Sequence, residues 1–153
     1  MRRADALEQI ERSLGTIGRV GSSTSAARRR AAQAGVDVSV PGMGILGVLD
    51  RSSPQRVSAL ARKAGMVPTL ASRELRVLEA AGYVARTTDG ADARAVAVSL
   101  TAAGREAYHR LRAASVEAAD EALAGWSVAD LAQLARLLAR VADDFSTVRG
   151  ATP

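Results

Sequence analysis

Three features of this sequence predict a mainly α-helical chain with one small β-hairpin. Apolar stripes at steps of three and four residues occupy both ends, two short helical stretches meet at Gly65, and directly after Gly82 the apolar period changes from helical to alternating. A helix-turn-helix followed at once by a hairpin is a winged helix-turn-helix, here flanked by long helices with apolar faces to bury.

The elements follow in chain order. Leu7, Ile10, Leu14 and Ile17 place one apolar stripe on a helix beginning near Asp5. The stretch Gly21 to Ser25 weakens helical propensity before Ala26 to Ala34 resume it, which predicts either two helical pieces or one kinked helix. Val36 to Val40 reads as an extended link, and Pro41 as the first residue of a helix carrying Met43, Ile45, Leu46, Val48 and Leu49. That helix also holds Gly42, Gly44 and Gly47; each interior glycine costs about 0.8–1 kcal/mol against alanine, so close packing or a ligand-admitting gap must compensate. After the turn-forming Arg51 to Pro54, Ser58 is placed to cap a short helix, Ala59 to Ala64, that Gly65 ends. Pro68 starts the next helix, which runs through Leu70, Ala71, Leu75 and Leu78 to Ala81 and stops at Gly82.

The region from about 84 to 98 reads as strand, turn and strand, with Asp89, Gly90, Ala91 and Asp92 supplying the turn. Thr101 caps a helix from about Ala102 to Leu123, with Tyr108, Leu111 and Val116 among its apolar positions. Trp126 closes it, and Ser127 with Asp130 resembles a capping box at the start of a last helix striped by Leu131, Leu134, Leu137, Leu138, Val141 and Phe145. The organisation expected is one domain with four segments: an N-terminal helical region at 1–35, the winged helix at 36–100, C-terminal helices at 101–149 and an irregular tail at 150–153.

Composition bounds the chemistry. The chain is 48% hydrophobic and only 3% aromatic, so Leu, Val and Ala carry the packing. A formal charge of +5 favours an anionic partner, and Lys63 is the sole lysine among 21 basic residues. Arginine's planar fork suits phosphate and guanine edges, although a bias toward Arg and Ala codons leaves the same record. With no cysteine and one histidine, His109, disulfides, thiolate metal sites and a structural zinc are not expected, nor is any cofactor. No window approaches the roughly 20 apolar residues of a membrane span, so a cytoplasmic protein with no membrane partner is expected. Enzymatic activity is not expected either: no phosphate-cradling glycine motif is visible, and His109 has no evident carboxylate partner.

On the helix from about 68 to 81, Pro68, Thr69, Ser72, Arg73 and Arg76 lie opposite Ala71, Leu75 and Leu78. That polar face fits the major groove of duplex DNA: arginines can bond guanine edges or phosphate, and Thr69 and Ser72 bases or backbone. Taken without the hairpin, the same face would be an ordinary solvated one.

The run Leu78-Glu79-Ala80-Ala81-Gly82-Tyr83-Val84, then Arg86, Asp92-Ala93-Arg94 and Val98-Ser99-Leu100-Thr101-Ala102-Ala103-Gly104, resembles the MarR-family signature of a recognition-helix end, a wing and the following helix start. Arg56-Val57-Ser58-Ala59-Leu60-Ala61 is similar to the family's first helix-turn-helix segment, and the similarity extends more weakly to Trp126-Ser127 and the last helix. The resemblance implies a transcriptional regulator in which Arg86 and Arg94 are wing contacts, Arg94 enters the minor groove and Asp92 holds the wing in shape. Three places depart from the family's pattern: Val67 stands where a Ser-type cap is common, Gly90, Ala91 and Ala93 stand where basic residues are frequent, and Glu74 occupies a position that is often apolar.

The resemblance also implies a homodimer built from the terminal helices, with Leu7, Ile10, Leu14, Leu134, Leu138 and Val141 at the interface, reading an inverted repeat of double-stranded DNA. Intramolecular bundling would satisfy the same stripes. A small-molecule effector between the dimerisation helices and the DNA-binding lobe is a further implication, for which Met43, Gly44 and Gly47 are the expected pocket wall. A non-specific architectural or protein-contact winged-helix module remains the alternative.

Overall fold

The computed structural model describes residues 2–21, 23–89 and 92–150, with the side chains of 88–96, 146 and 148–150 outside that description. The described chain falls into two compact units, Met1–Glu117 and Ala118–Pro153.

In the first unit, α1 (Arg3–Gly21) and α2 (Thr24–Gln33) are separate helices, so the Gly21 to Ser25 stretch divides two pieces. Ser23 caps α2, its side chain accepting from the Ala26 N–H. The helix α3 (Val40–Arg51) begins one residue before the expected Pro41, because Ser39 is its N-cap and accepts from the Gly42 N–H at 3.0 Å. A two-residue strand, β1 (Gln55–Arg56), then leads straight into α4 (Val57–Lys63). Ser58 is therefore not a cap: the extended backbone of Arg56 holds the cap position, without a side-chain bond.

Both helices of the central pair end alike. Gly65 follows α4 with φ +66°, its N–H bonding the Arg62 carbonyl and the Met66 N–H reaching back to Ala61. Gly82 follows α5 (Pro68–Ala80) with φ +75°, and the Tyr83 N–H reaches back to Leu78. These are Schellman ends, and a left-handed residue there is what glycine supplies without a Cβ penalty.

After Gly82, β2 (Val84–Asp89) pairs antiparallel with β3 (Asp92–Leu100), from Val84 opposite Leu100 to Asp89 opposite Asp92. β1 pairs with the other edge of β3, Gln55 opposite Val98, so the hairpin belongs to a three-stranded sheet ordered β1-β3-β2. The third strand was not expected, because two residues carry no periodicity. The turn residues Gly90 and Ala91 lie outside the described residues.

The core forms where these elements meet. Ile45, Leu46 and Leu49 of α3, Leu60 of α4, Leu75 and Leu78 of α5 and Val98 of β3 are fully buried in one cluster, each contributing about 1.5–3 kcal/mol by burial. Ala107 and Leu111 of α6 (Ala102–Ala122) join it. Thr101 caps α6 as expected, accepting from the Gly104 N–H at 3.0 Å and donating to the Gly82 carbonyl at 2.7 Å.

In the second unit, α7 (Val128–Gly150) starts after Ser127, whose hydroxyl accepts from the Asp130 N–H at 3.1 Å and donates to the Asp130 carboxylate at 2.6 Å. Of the expected tail at 150–153, Gly150 is instead the last residue of α7, and residues 151–153 lie outside the described residues. No helix among the described residues is long and apolar enough to cross a membrane.

Candidate nucleic-acid interface

The recognition-type helix α5 buries one side and presents the other. Ala71, Leu75 and Leu78 are buried; Pro68, Thr69, Arg73 and Arg76 are exposed, and Ser72 is half-buried between the two faces. The helix starts at Pro68 from Val67, which is extended at φ −69° and ψ 146° and makes no side-chain cap bond. No side chain at the cap position therefore accepts from the first-turn N–H groups of α5.

Glu74 is the one buried charged residue among the described residues, 6% exposed on a helix whose outer face is cationic. Its carboxylate accepts from the Ser39 hydroxyl at 2.5 Å and is paired with the Arg73 guanidinium at 3.3 Å. The same Ser39 oxygen caps α3, so one short polar chain ties the start of α3 to the middle of α5. Sequence reasoning left Glu74 as a departure and did not find Ser39 at all. The signal was available: a serine two residues before a proline at a helix start is a capping pattern.

The hairpin continues from α5 by way of Gly82. Arg86 on β2 is exposed but engaged, its Nε donating to the Glu79 carboxylate at 3.0 Å, which fastens the wing's base to the end of α5. Such an exposed pair is worth about 0–1 kcal/mol. Asp92 and Arg94 lie on the β3 backbone, and their side chains fall outside the described residues.

A cavity of about 800 Å³ lies beside this face, between α2, the link that follows it, the start of α3 and α5. Val36, Val38, Pro41, Met43 and Val77 give it an apolar wall, with Arg28 and Ser39 as polar points. Of the three residues expected on a pocket wall, Met43 lines this cavity. Gly44 and Gly47 pack elsewhere: a Cβ at Gly44 would meet Met66 at 3.3 Å, and one at Gly47 would meet the Tyr108 hydroxyl at 3.1 Å. Both glycines face packed side chains, the flexible end of Met66 at Gly44 and the ring of Tyr108 at Gly47. His109 has a carboxylate neighbour after all, Asp50 at 3.5 Å across α3 and α6, which spacing along the chain could not reveal.

The six residues expected at a dimer interface are exposed or half-buried. Leu7 and Ile10 are exposed and Leu14 half-buried on α1, which buries no residue; Leu138 is exposed and Leu134 and Val141 are half-buried on α7.

Residues 36–95 match the model of the MarR family. A MarR transcriptional regulator from Methanosarcina mazei Go1 is similar in structure, with a TM-score of 0.77 and 16% identity over 92% of this chain and 99% of that one. A probable transcriptional regulator from Pseudomonas aeruginosa is 29% identical over 76% of this chain and 91% of its own, with a TM-score of 0.58. The PcaV transcriptional regulator from Streptomyces coelicolor, solved in complex with its natural ligand, matches at 20% identity over 70% of this chain and 76% of that chain, with a TM-score of 0.54. No curated protein matches the chain.

Proposed function

We propose, from the match of segment 36–95 to the MarR family model, that this chain is a MarR-type winged-helix regulator: a sequence-specific DNA-binding transcriptional regulator acting as a homodimer. The observation that carries the reading is α5, packed through Leu75 and Leu78 while Thr69, Arg73 and Arg76 face outward, with a hairpin fastened to its end. Such a helix enters the major groove, and Arg94 on the wing enters the adjacent minor groove, where narrow width concentrates negative potential. Arg73 and Arg76 bond guanine edges or phosphate; Pro68, Thr69 and Ser72 sit at the end of the helix nearest the groove.

The exposed apolar residues of α1 and α7 support a dimer, since a second copy would remove them from water at about 25 cal/mol per Å². A two-fold dimer reads an inverted repeat with half-sites about 34–36 Å apart. The cavity supports an effector: a small molecule seated on Val38, Met43 and Val77 would touch both α3 and the recognition helix, and any difference in its affinity for the DNA-competent form would shift DNA binding.

The test is enrichment of random duplex DNA by the purified protein at near-physiological salt. A regulator enriches an inverted repeat. A folded dimer that retains all duplexes alike, with affinity set by salt alone, is an architectural binder instead. Arg73→Ala and Arg94→Ala are each expected to weaken binding to the enriched duplex about tenfold or more; Arg94→Ala leaves thermal melting unchanged, whereas Arg73→Ala, which takes one partner from the buried Glu74 carboxylate, lowers it while the protein still folds. Unchanged affinity in both would remove this face from DNA.

A further inference from the structure

A carboxylate on a helix that faces a polyanion is a liability, and burying one costs several kcal/mol unless hydrogen bonds replace its water. Glu74 meets both problems with the same geometry. At 6% exposure its charge is withdrawn from the outer face, and its two oxygens are taken separately, one by the Ser39 hydroxyl and the other by Arg73. Ser39 is itself fixed by its cap bond to the Gly42 N–H, so the acceptor presented to Arg73 is anchored to α3 and not only to α5. Arg73 in turn is 72% exposed in its side chain. Its guanidinium is therefore held at one Nη by a buried acceptor while its remaining N–H groups face outward.

We propose that Glu74 is a positioning residue for sequence reading: together with Ser39 it holds the Arg73 guanidinium in the orientation that meets a base edge. The proposal rests on the reading of α5 as the DNA-reading helix. An arginine on a free stem binds phosphate anywhere along a duplex, because a point charge suffices there. A base edge requires a planar fork in one place, and fixing the fork beforehand removes the entropy otherwise lost on binding. Glu74 thus favours the chosen sequence over others, while its negative charge slightly disfavours DNA in general.

The experiment compares dissociation constants for the duplex enriched by the wild-type protein and for a scrambled duplex of the same composition. Glu74→Gln is expected to lower the ratio between them about tenfold, with affinity for the scrambled duplex unchanged or higher. Ser39→Ala is expected to lower it in the same sense. In an Arg73→Ala background Glu74→Gln is expected to change the ratio no further, since the group it positions is gone. Glu74→Leu, whose side chain suits a buried site, repeats the measurement with no acceptor at all, and circular-dichroism melting establishes that each variant is folded. A ratio within twofold of wild type in Glu74→Gln and Glu74→Leu overturns the proposal, as does an effect of Glu74→Gln undiminished in the Arg73→Ala background. Those results leave the DNA-reading helix standing. Failure of the wild-type protein to enrich any duplex removes that helix's role and the proposal with it.

Discussion

At the scale of single residues, the glycines of this chain separate into those that admit a methyl group and those that do not. A Cβ at Gly104 would lie 1.9 Å from the Tyr83 carbonyl oxygen, a backbone atom at the junction of α5 and the hairpin. That oxygen also accepts from the Thr101 N–H at 3.1 Å, so it cannot move without opening the start of α6. Gly104→Ala is therefore expected to cost about 3 kcal/mol, read as a lower urea midpoint. At Gly44 the neighbour is the terminal methyl of Met66, which has rotamers to spare. Gly44→Ala is expected to be neutral or to stabilise by up to about 1 kcal/mol through helix propensity. Equal destabilisation by both changes would show that the contact at Tyr83 is not what fixes Gly104.

At the scale of elements, caps and connections decide where helices begin. Thr101 joins the end of α5 to the start of α6 by accepting from Gly104 and donating to Gly82. Thr101→Ala is expected to cost about 1–2 kcal/mol in denaturant unfolding with DNA affinity of the folded protein little changed, because the junction contains none of the outward residues of α5. An unchanged midpoint would mean that the two bonds are replaced by water at no cost. The helices themselves were legible in the sequence because their signals are local: the 3.6-residue period of Leu75 and Leu78, the glycine ends at Gly65 and Gly82, and the switch to alternation in β3. What could not be read is pairing between distant segments. β1 is strand only because β3 lies beside it, and its extended backbone displaces the cap from Ser58 to Arg56. The outward face of α5 was legible for the same local reason, whereas the bond from Ser39 to Glu74 spans 35 positions and is a product of α3 packing on α5. Likewise Gly44 and Gly47 announced missing side chains without saying that Met66 and Tyr108 fill the space.

At the scale of the whole molecule, the balance between buried and exposed apolar surface argues for a second copy. The winged-helix core is complete in one chain, with Leu46, Leu49, Leu60 and Leu75 fully buried. The terminal helices, each taken by itself, are not satisfied: Ile10 is 47% exposed on α1, and Leu137 and Leu138 are 50% and 43% exposed on α7. A glutamate placed at a solvated position costs a single chain almost nothing, but at a buried interface it costs several kcal/mol by desolvation. If the proposed dimer forms through these helices, Ile10→Glu and Leu138→Glu are expected to convert it to monomer at micromolar concentration in sedimentation equilibrium. DNA binding should fall with it: a monomer makes the phosphate contacts of one half-site, so the salt dependence of its affinity is expected to flatten to about half the wild-type slope. Because α5 and the hairpin are untouched, affinity for an isolated half-site should survive. A wild-type protein that sediments as a monomer would assign these stripes to packing within one chain. A variant that stays dimeric while losing DNA would place its residue at the DNA face.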